Sequence, residues 1–369
     1  MTQERKLSIT ITWRERVDVE LSSIKKHLLV DKVLYLYCLI TTFIIYLLSY
    51  FVNSTIAYSF ITYLKTMGVA LYITGISFSI YYYLYLILNK EKYILKNFFT
   101  KIINFLFPAG RIVSIFISLL AFNLIFSNHT FLKSLIPKIN PFKWDIIFSE
   151  VDKFIHFGFY PWEITHAIFS SPLSSLAINF AYNIWFFFMW GLLIFFIVYK
   201  NKPQLRQQFL LCFSLSWMII GVFFATIFSS AGPCFLELIT GNNQYAPLMI
   251  KLTNQNQFLM DMHIGKLWAL PTQQHLWKEY MTHANSIGSG ISAMPSMHVS
   301  IAIIMALSVY RINKKIGFFA YAYAILILIG SVHLGWHYAI DGYVSIFLTI
   351  ALWKLIGYLV KKIRSLKYK

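Results

Sequence analysis

The chain has 369 residues, 58% hydrophobic, 18% aromatic and only 12% charged, with a mean hydropathy of +0.62 and a formal net charge of +18. A soluble domain carries roughly 25% charged residues, so the composition excludes one and defines an integral membrane protein. The positive charge alone would suit a nucleic acid, but no nucleic-acid motif accompanies it and its placement has another cause, so nucleic acid is excluded as a partner.

In chain order, residues 1–32 are polar and carry seven Lys/Arg before any apolar run begins. This differs from the short basic start and brief apolar core of a cleaved signal peptide, and the segment is expected to be cytoplasmic. Eight apolar stretches approach the roughly 20 residues needed for a membrane-spanning helix, near 33–51, 67–88, 112–128, 174–198, 208–229, 295–310, 316–332 and 339–360. The pattern predicts an all-α, polytopic membrane helix bundle. Two additional spans occupy 33–110, a six-span core occupies 111–360, and 361–369 form a cytoplasmic tail. The outer connection 129–173 mixes Trp144, Phe154, Phe157 and Trp162 with charges, which predicts an amphipathic helix on the membrane surface. The second outer connection, 230–294, is polar and rich in Asn and Gln, and its length suits a cover over a headgroup site.

The basic residues orient the bundle. Of 32 Lys/Arg, 24 fall in the N-terminal segment, the alternate connections 89–111, 199–208 and 311–316, and the C-terminal end. Positive residues favour the cytoplasmic side, so both termini are expected there, with the +18 facing anionic lipid headgroups. The other eight are all lysines on the outer side: Lys65, Lys133, Lys138, Lys143, Lys153, Lys251, Lys266 and Lys278. Cys38, Cys212 and Cys234 form no disulfide framework. Asn53-Ser54-Thr55 and Asn128-His129-Thr130 match the short glycosylation pattern, which arises often by chance and carries no weight.

Ionisable groups at the mouths of spans are costly to hold and mark function. Three meet that description on the outer side: His298 at the start of the sixth span, and His337 and Asp341 at the start of the eighth. The spacing of His337 and Asp341 stacks them on one helix face. Asp341 would accept the Nδ1 proton of His337 and leave Nε2 as a nucleophile, while His298 would serve as general acid. Pro295 and Ser296 suit a first helical turn, whose free N–H groups favour a phosphate oxygen. Gly288-Ser289-Gly290 would let the backbone approach that anion closely.

Pro295-Ser296-Met297-His298 and His337-Tyr338-Ala339-Ile340-Asp341 resemble the second and third motifs of the type-2 phosphatidic-acid phosphatase superfamily. The form Ser292-Ala293-Met294-Pro295-Ser296-Met297-His298 is most similar to the branch containing inositol phosphorylceramide synthases and related bacterial proteins. Trp144-Asp145, Asp152, His156-Phe157-Gly158, Pro161-Trp162 and Ala231-Gly232-Pro233 resemble further segments of that branch. The resemblance covers about 143–345. It implies a cofactor-free phosphoryl-transfer enzyme in which His337 forms a phosphohistidine, Asp341 orients it and His298 protonates the leaving group. The substrate would be a membrane lipid phosphate or phospholipid, with water or a lipid or sugar alcohol as acceptor, at the extracytoplasmic face of a bacterial inner membrane.

The chain also departs from the phosphatase pattern. It contains no Arg-Pro, Met297 replaces the glycine before the first histidine, and Ser331 stands where an arginine is expected. All the outer basic residues being lysines, no bidentate arginine clamp is available there. This favours a phosphodiester monoanion, hence headgroup transfer, over hydrolysis of a monoester dianion. The candidate substrate contacts are Ser296, Met297, Ser331, His333 and a lysine of the outer connections. Two rival readings remain open: a metal site on His333, His337 and Asp341, which the break at Gly335 disfavours, and a non-catalytic lipid-binding or transport protein.

Overall fold

A computed structural model of the chain describes residues 13–51, 58–106, 109–282 and 286–366, and among these every regular element is helical. Helices α1 (Trp13–Val30) and α2 (Lys32–Phe51) meet at Asp31, followed by α3 (Leu64–Leu88), α4 (Ile94–Leu106) and α5 (Ala109–Ile139). Then come α6 (Asp145–Ile155), α7 (Pro161–Ile168), α8 (Pro172–Val198) and α9 (Pro203–Met218). The last of these continues through a π-helical turn (Ile219–Phe224) into α10 (Ala225–Ile227). A 3₁₀ turn at Pro233–Phe235 leads into α11 (Leu236–Thr240), and α12 (Ala246–Asp261) and α13 (Ala269–Thr282) complete the outer connection. The chain ends in α14 (Met297–Ile312), α15 (Lys314–His333) and α16 (Ala339–Leu366).

Seven segments are long and apolar enough to cross a bilayer: α2, α3, α5, α8, the α9–α10 run, α15 and α16. The eighth expected span, α14, has 16 residues, or about 24 Å at 1.5 Å per residue, against a hydrocarbon core of about 30 Å. Its short length is accommodated by position. Every residue from Val299 to Ala306 is buried, because α14 packs against α8, α9, α15 and α16 at the centre of the bundle. The opposite case is α3, where only 6% of the apolar window is buried against 50% for α5. The core therefore forms around α14, with α3 at the periphery.

Local sequence sets the helix starts. Pro172 and Pro203 occupy first-turn positions, where a missing N–H costs nothing. Ser171 caps α8 by accepting from the Ser174 N–H, and Asn313 caps α15 by accepting from the Ile316 N–H. Glu163 accepts from the Tyr160 N–H at the start of α7.

Several expectations change. Much of the polar N-terminal segment is helix α1, packed along α5; residues 1–12 lie outside the described residues. The third span runs to Ile139 rather than ending at 128, because Asn128, His129 and Thr130 are buried by neighbours instead of entering a loop. Asn128 bonds Tyr58 and Thr42 and is no glycosylation acceptor, while Asn53-Ser54-Thr55 lies outside the described residues. The remainder of the 129–173 connection folds as α6 and α7, whose junction exposes Phe154 and Phe157. All three cysteines are free thiols.

A buried ion pair joins the additional helices to the core. Arg206, in the first turn of α9, donates to both carboxylate oxygens of Asp31 at 2.6 and 2.7 Å and to the Ile197 carbonyl. Removing one partner leaves a buried charge uncompensated, so Asp31→Asn is expected to cost about 3–5 kcal/mol. Thermal unfolding in detergent checks this; the double variant Asp31→Leu/Arg206→Met should recover most of the loss.

Candidate active site

The start of α16 is a helix N-terminus whose first N–H groups lack intrahelical partners. Asp152 of α6 accepts from the Ala339 N–H at 2.6 Å and the Ile340 N–H at 2.8 Å. Asp341 Oδ2 accepts from the Tyr338 N–H at 3.0 Å and from His337 Nδ1 at 3.2 Å. The Trp336 and His337 N–H groups both donate to the Ser331 carbonyl, with Gly335 in the left-handed region at φ +75° where α15 stops. Asp145 accepts from the Ala231 and Gly232 N–H groups and from the Tyr338 hydroxyl. One short helix thus ties two loops to the dyad.

His337 is 7% exposed and Asp341 fully buried. Burial pushes the His337 imidazole down to about 3, so the ring is neutral at pH 7. Its Nδ1 lies 3.2 Å from Asp341 Oδ2, and a backbone hydrogen bond with Ala293 also engages the ring. Burial also raises Asp152, to about 7, and outweighs the two backbone donations that favour its charge.

His298 lies in the first turn of α14. Ser296 is the N-cap, its Oγ accepting from the Val299 N–H at 3.5 Å, so Pro295 precedes the helix rather than occupying its first turn. The Ser296 N–H donates to the Asp341 carbonyl, which couples the two site helices. The His298 ring packs on Tyr182 and Trp185 of α8, with centroids 4.8 and 4.6 Å away. It stands 6.1 Å from the His337 ring at an interplanar angle of 64°.

Both histidines line a cavity of about 860 Å³. At its polar end they are joined by His129 and Lys133 of α5. From there it extends between Val69, Ala70 and Ile73 of α3 and Phe186 to Trp190 of α8. Residues of α13 and of the Ile287–Ser292 segment also line it, so the outer connection contributes to its wall. Met297 lines the cavity too; its sulfur lies 3.0 Å from where a Cβ on Gly221 would stand, packing it on the π-helical turn.

Of the four candidate substrate contacts only Met297 lines the cavity: Ser296 is fully buried as the α14 N-cap, and Ser331 and His333 lie elsewhere. The Ser331 hydroxyl is fully buried and donates to the Leu328 carbonyl; it does not line the cavity, and its backbone carbonyl instead shapes the His337 turn. His333 also faces away. It bonds Ser175 at 2.8 Å and Thr165, and stacks on His166 at 3.7 Å. The break at Gly335 turns His333 from His337, so the spacing that suggested a metal site does not converge. His156 bonds the Asp152 carbonyl and the Tyr343 hydroxyl. Sequence reasoning did not distinguish Lys133 from the other outer lysines, and it missed His129 and the capping role of Asp152. Only the four-residue spacing of His129 and Lys133 could have grouped those two on one face.

The fold and cavity define an integral membrane helix bundle enclosing a largely apolar pocket that holds histidines and a lysine. The PAP2 superfamily model matches residues 147–355, and the chain belongs to that superfamily, the type-2 phosphatidic-acid phosphatases. Membership makes it a phosphatase- or phosphotransferase-type enzyme for lipid phosphates at the bilayer. No curated protein and no solved structure matches the chain. The family match starts inside α6, so α1 to α5 lie outside it, including α3 and Lys133.

The Asp152 cap carries a pH signature. A raised folded value means the folded protein holds a proton that the unfolded chain releases near 3.8. That stability is fully present below about pH 4 and is lost as pH rises towards about 7. Asp152→Asn should remove this slope while costing about 1–3 kcal/mol for one unsatisfied backbone N–H. Melting curves of both proteins across that range provide the check.

Proposed function

We propose that the protein transfers a phosphoryl headgroup between lipids through a phosphohistidine on His337. The observation that carries this reading is His337, neutral and 3.2 Å from the Asp341 carboxyl, beside His298 in a mostly apolar cavity that also holds His129 and Lys133; with its proton on Nδ1, His337 attacks through Nε2. An amphiphile with its phosphate at the histidines and its chain between α3 and α8 fits that shape.

In the first step His337 Nε2 attacks phosphorus. The bond from phosphorus to the departing oxygen breaks, and His298 supplies that oxygen's proton. In the second, an acceptor hydroxyl gives its proton to His298 and attacks phosphorus, and the P–N bond breaks to restore His337. Asp341 keeps the Nδ1 proton in place and stabilises the ring as it becomes cationic. Ser296 and Met297 shape the first turn that presents His298.

Among the described residues lining the cavity, Lys133 is the one Lys or Arg. A phosphodiester carries one negative charge and a phosphomonoester up to two, so a single cation suits transfer from a phospholipid donor. This agrees with the resemblance to the inositol phosphorylceramide synthase branch. The acceptor is a lipid or sugar alcohol; with water instead, the same steps give a lipid-phosphate phosphatase. The loop charges support cytoplasmic termini and an extracytoplasmic site, as in a bacterial inner membrane.

A mass-spectrometric turnover assay tests the reading. Wild-type protein in micelles of phospholipid donor and alcohol acceptor should yield a phosphorylated acceptor. His337→Ala should remain folded and yield none, and Asp341→Asn should lose on the order of 10²–10⁴-fold. Inorganic phosphate as the His337-dependent product would make the protein a phosphatase. Undiminished turnover by His337→Ala would remove the mechanism.

A further inference from the structure

The site holds an unassigned charge. Lys133 lies inside the apolar α5 segment Gly110–Ile139, where an ammonium group is expensive and calls for a partner. Among the described residues no ion pair or hydrogen bond engages it. Glu279 is the one carboxylate lining the cavity, and its near neighbour is His275 at 3.3 Å. The cation is nevertheless held firmly by its stem. Gly290, at φ +87°, brings the chain so close that a Cβ there would lie 3.1 Å from Lys133 Cγ and 3.3 Å from its backbone carbon. That segment is fixed in turn: the Gly288 N–H donates to the Tyr63 hydroxyl at 3.0 Å, which bonds Thr130, one turn before Lys133, at 2.7 Å. The sequence Gly288-Ser289-Gly290 thus allows close packing on α5. From this position Lys133 lines the same cavity as His129, His298 and His337.

Among the described residues, the one carboxylate within ion-pair distance of this cation and three imidazoles is Asp341, already engaged by His337 Nδ1, and such a cluster is built for an anion. We propose that Lys133 is the phosphate-binding cation of this site, neutralising the non-bridging oxygens of the transferred group from outside the part of the chain that matches the family. The inference rests on the phosphoryl-transfer reading for its substrate, while the anion site itself stands on geometry alone. An ammonium group is a point charge without arginine's planar fork, so it holds phosphate without dictating its rotation, which suits a group that must pass between two oxygens.

Removing an unpaired buried charge should not destabilise the apoprotein, which separates this role from a structural one. Lys133→Met is expected to melt at or above the wild-type temperature. Orthovanadate, a phosphate analogue, should raise the melting temperature of wild type and of Lys133→Arg but leave Lys133→Met unmoved. In the turnover assay Lys133→Met should lose on the order of 10²–10³-fold, with Lys133→Arg recovering part of it. An equal vanadate shift in wild type and Lys133→Met, or none in wild type, would overturn the proposal, as would full turnover by Lys133→Met. A Lys133-dependent vanadate shift with no turnover of any lipid phosphate would keep the anion site and remove the lipid reaction instead.

Discussion

The N-terminus of α16 begins inside the protein, where Tyr338 and Ala339 are buried and water cannot satisfy the N–H groups. Asp152 meets that need with both carboxylate oxygens, and Asp341 serves the preceding N–H with the same oxygen that receives His337. Backbone satisfaction and placement of the dyad are therefore one constraint. Asp145 extends it to the Ala231-Gly232 turn and to Tyr338, and the Ser296 N–H brings α14 into the same network. His298 reaches His337 only because these helix starts are locked to one another.

The cavity adds a second level. Its polar end comes from α5, α14 and the His337 turn, whereas part of its apolar wall comes from α3, the least buried of the spans. Residues outside the family match thus contribute both a charge and a wall. Under the proposed function the chemistry would sit on well-packed core helices, and the surface that would meet a lipid chain is carried by the peripheral α3.

How much of this the sequence discloses depends on the physics behind each feature. The spans are legible because long apolar runs have few other uses in a chain so poor in charge. His298, His337 and Asp341 are legible because ionisable groups at span mouths are costly. Ser331 and His333 mislead because spacing was extrapolated across a helix break: past Leu334 the chain leaves α15, and a residue one nominal turn away faces α7 and α8. Lys133 is hidden for the opposite reason. Hydropathy ends the third span at 128, and only burial of Asn128, His129 and Thr130 by other helices carries α5 on to Ile139. The caps of α16 come from residues nearly 190 positions away, a relation that no local pattern encodes.

The most direct test of the account is to find the covalent intermediate. Purified protein would be given a phospholipid donor without acceptor, quenched in base, digested and mapped by mass spectrometry. The account predicts an acid-labile phosphoryl group on the peptide carrying His337, absent from His337→Ala. The same label on another residue, or product formation without any labelled His337, would contradict it.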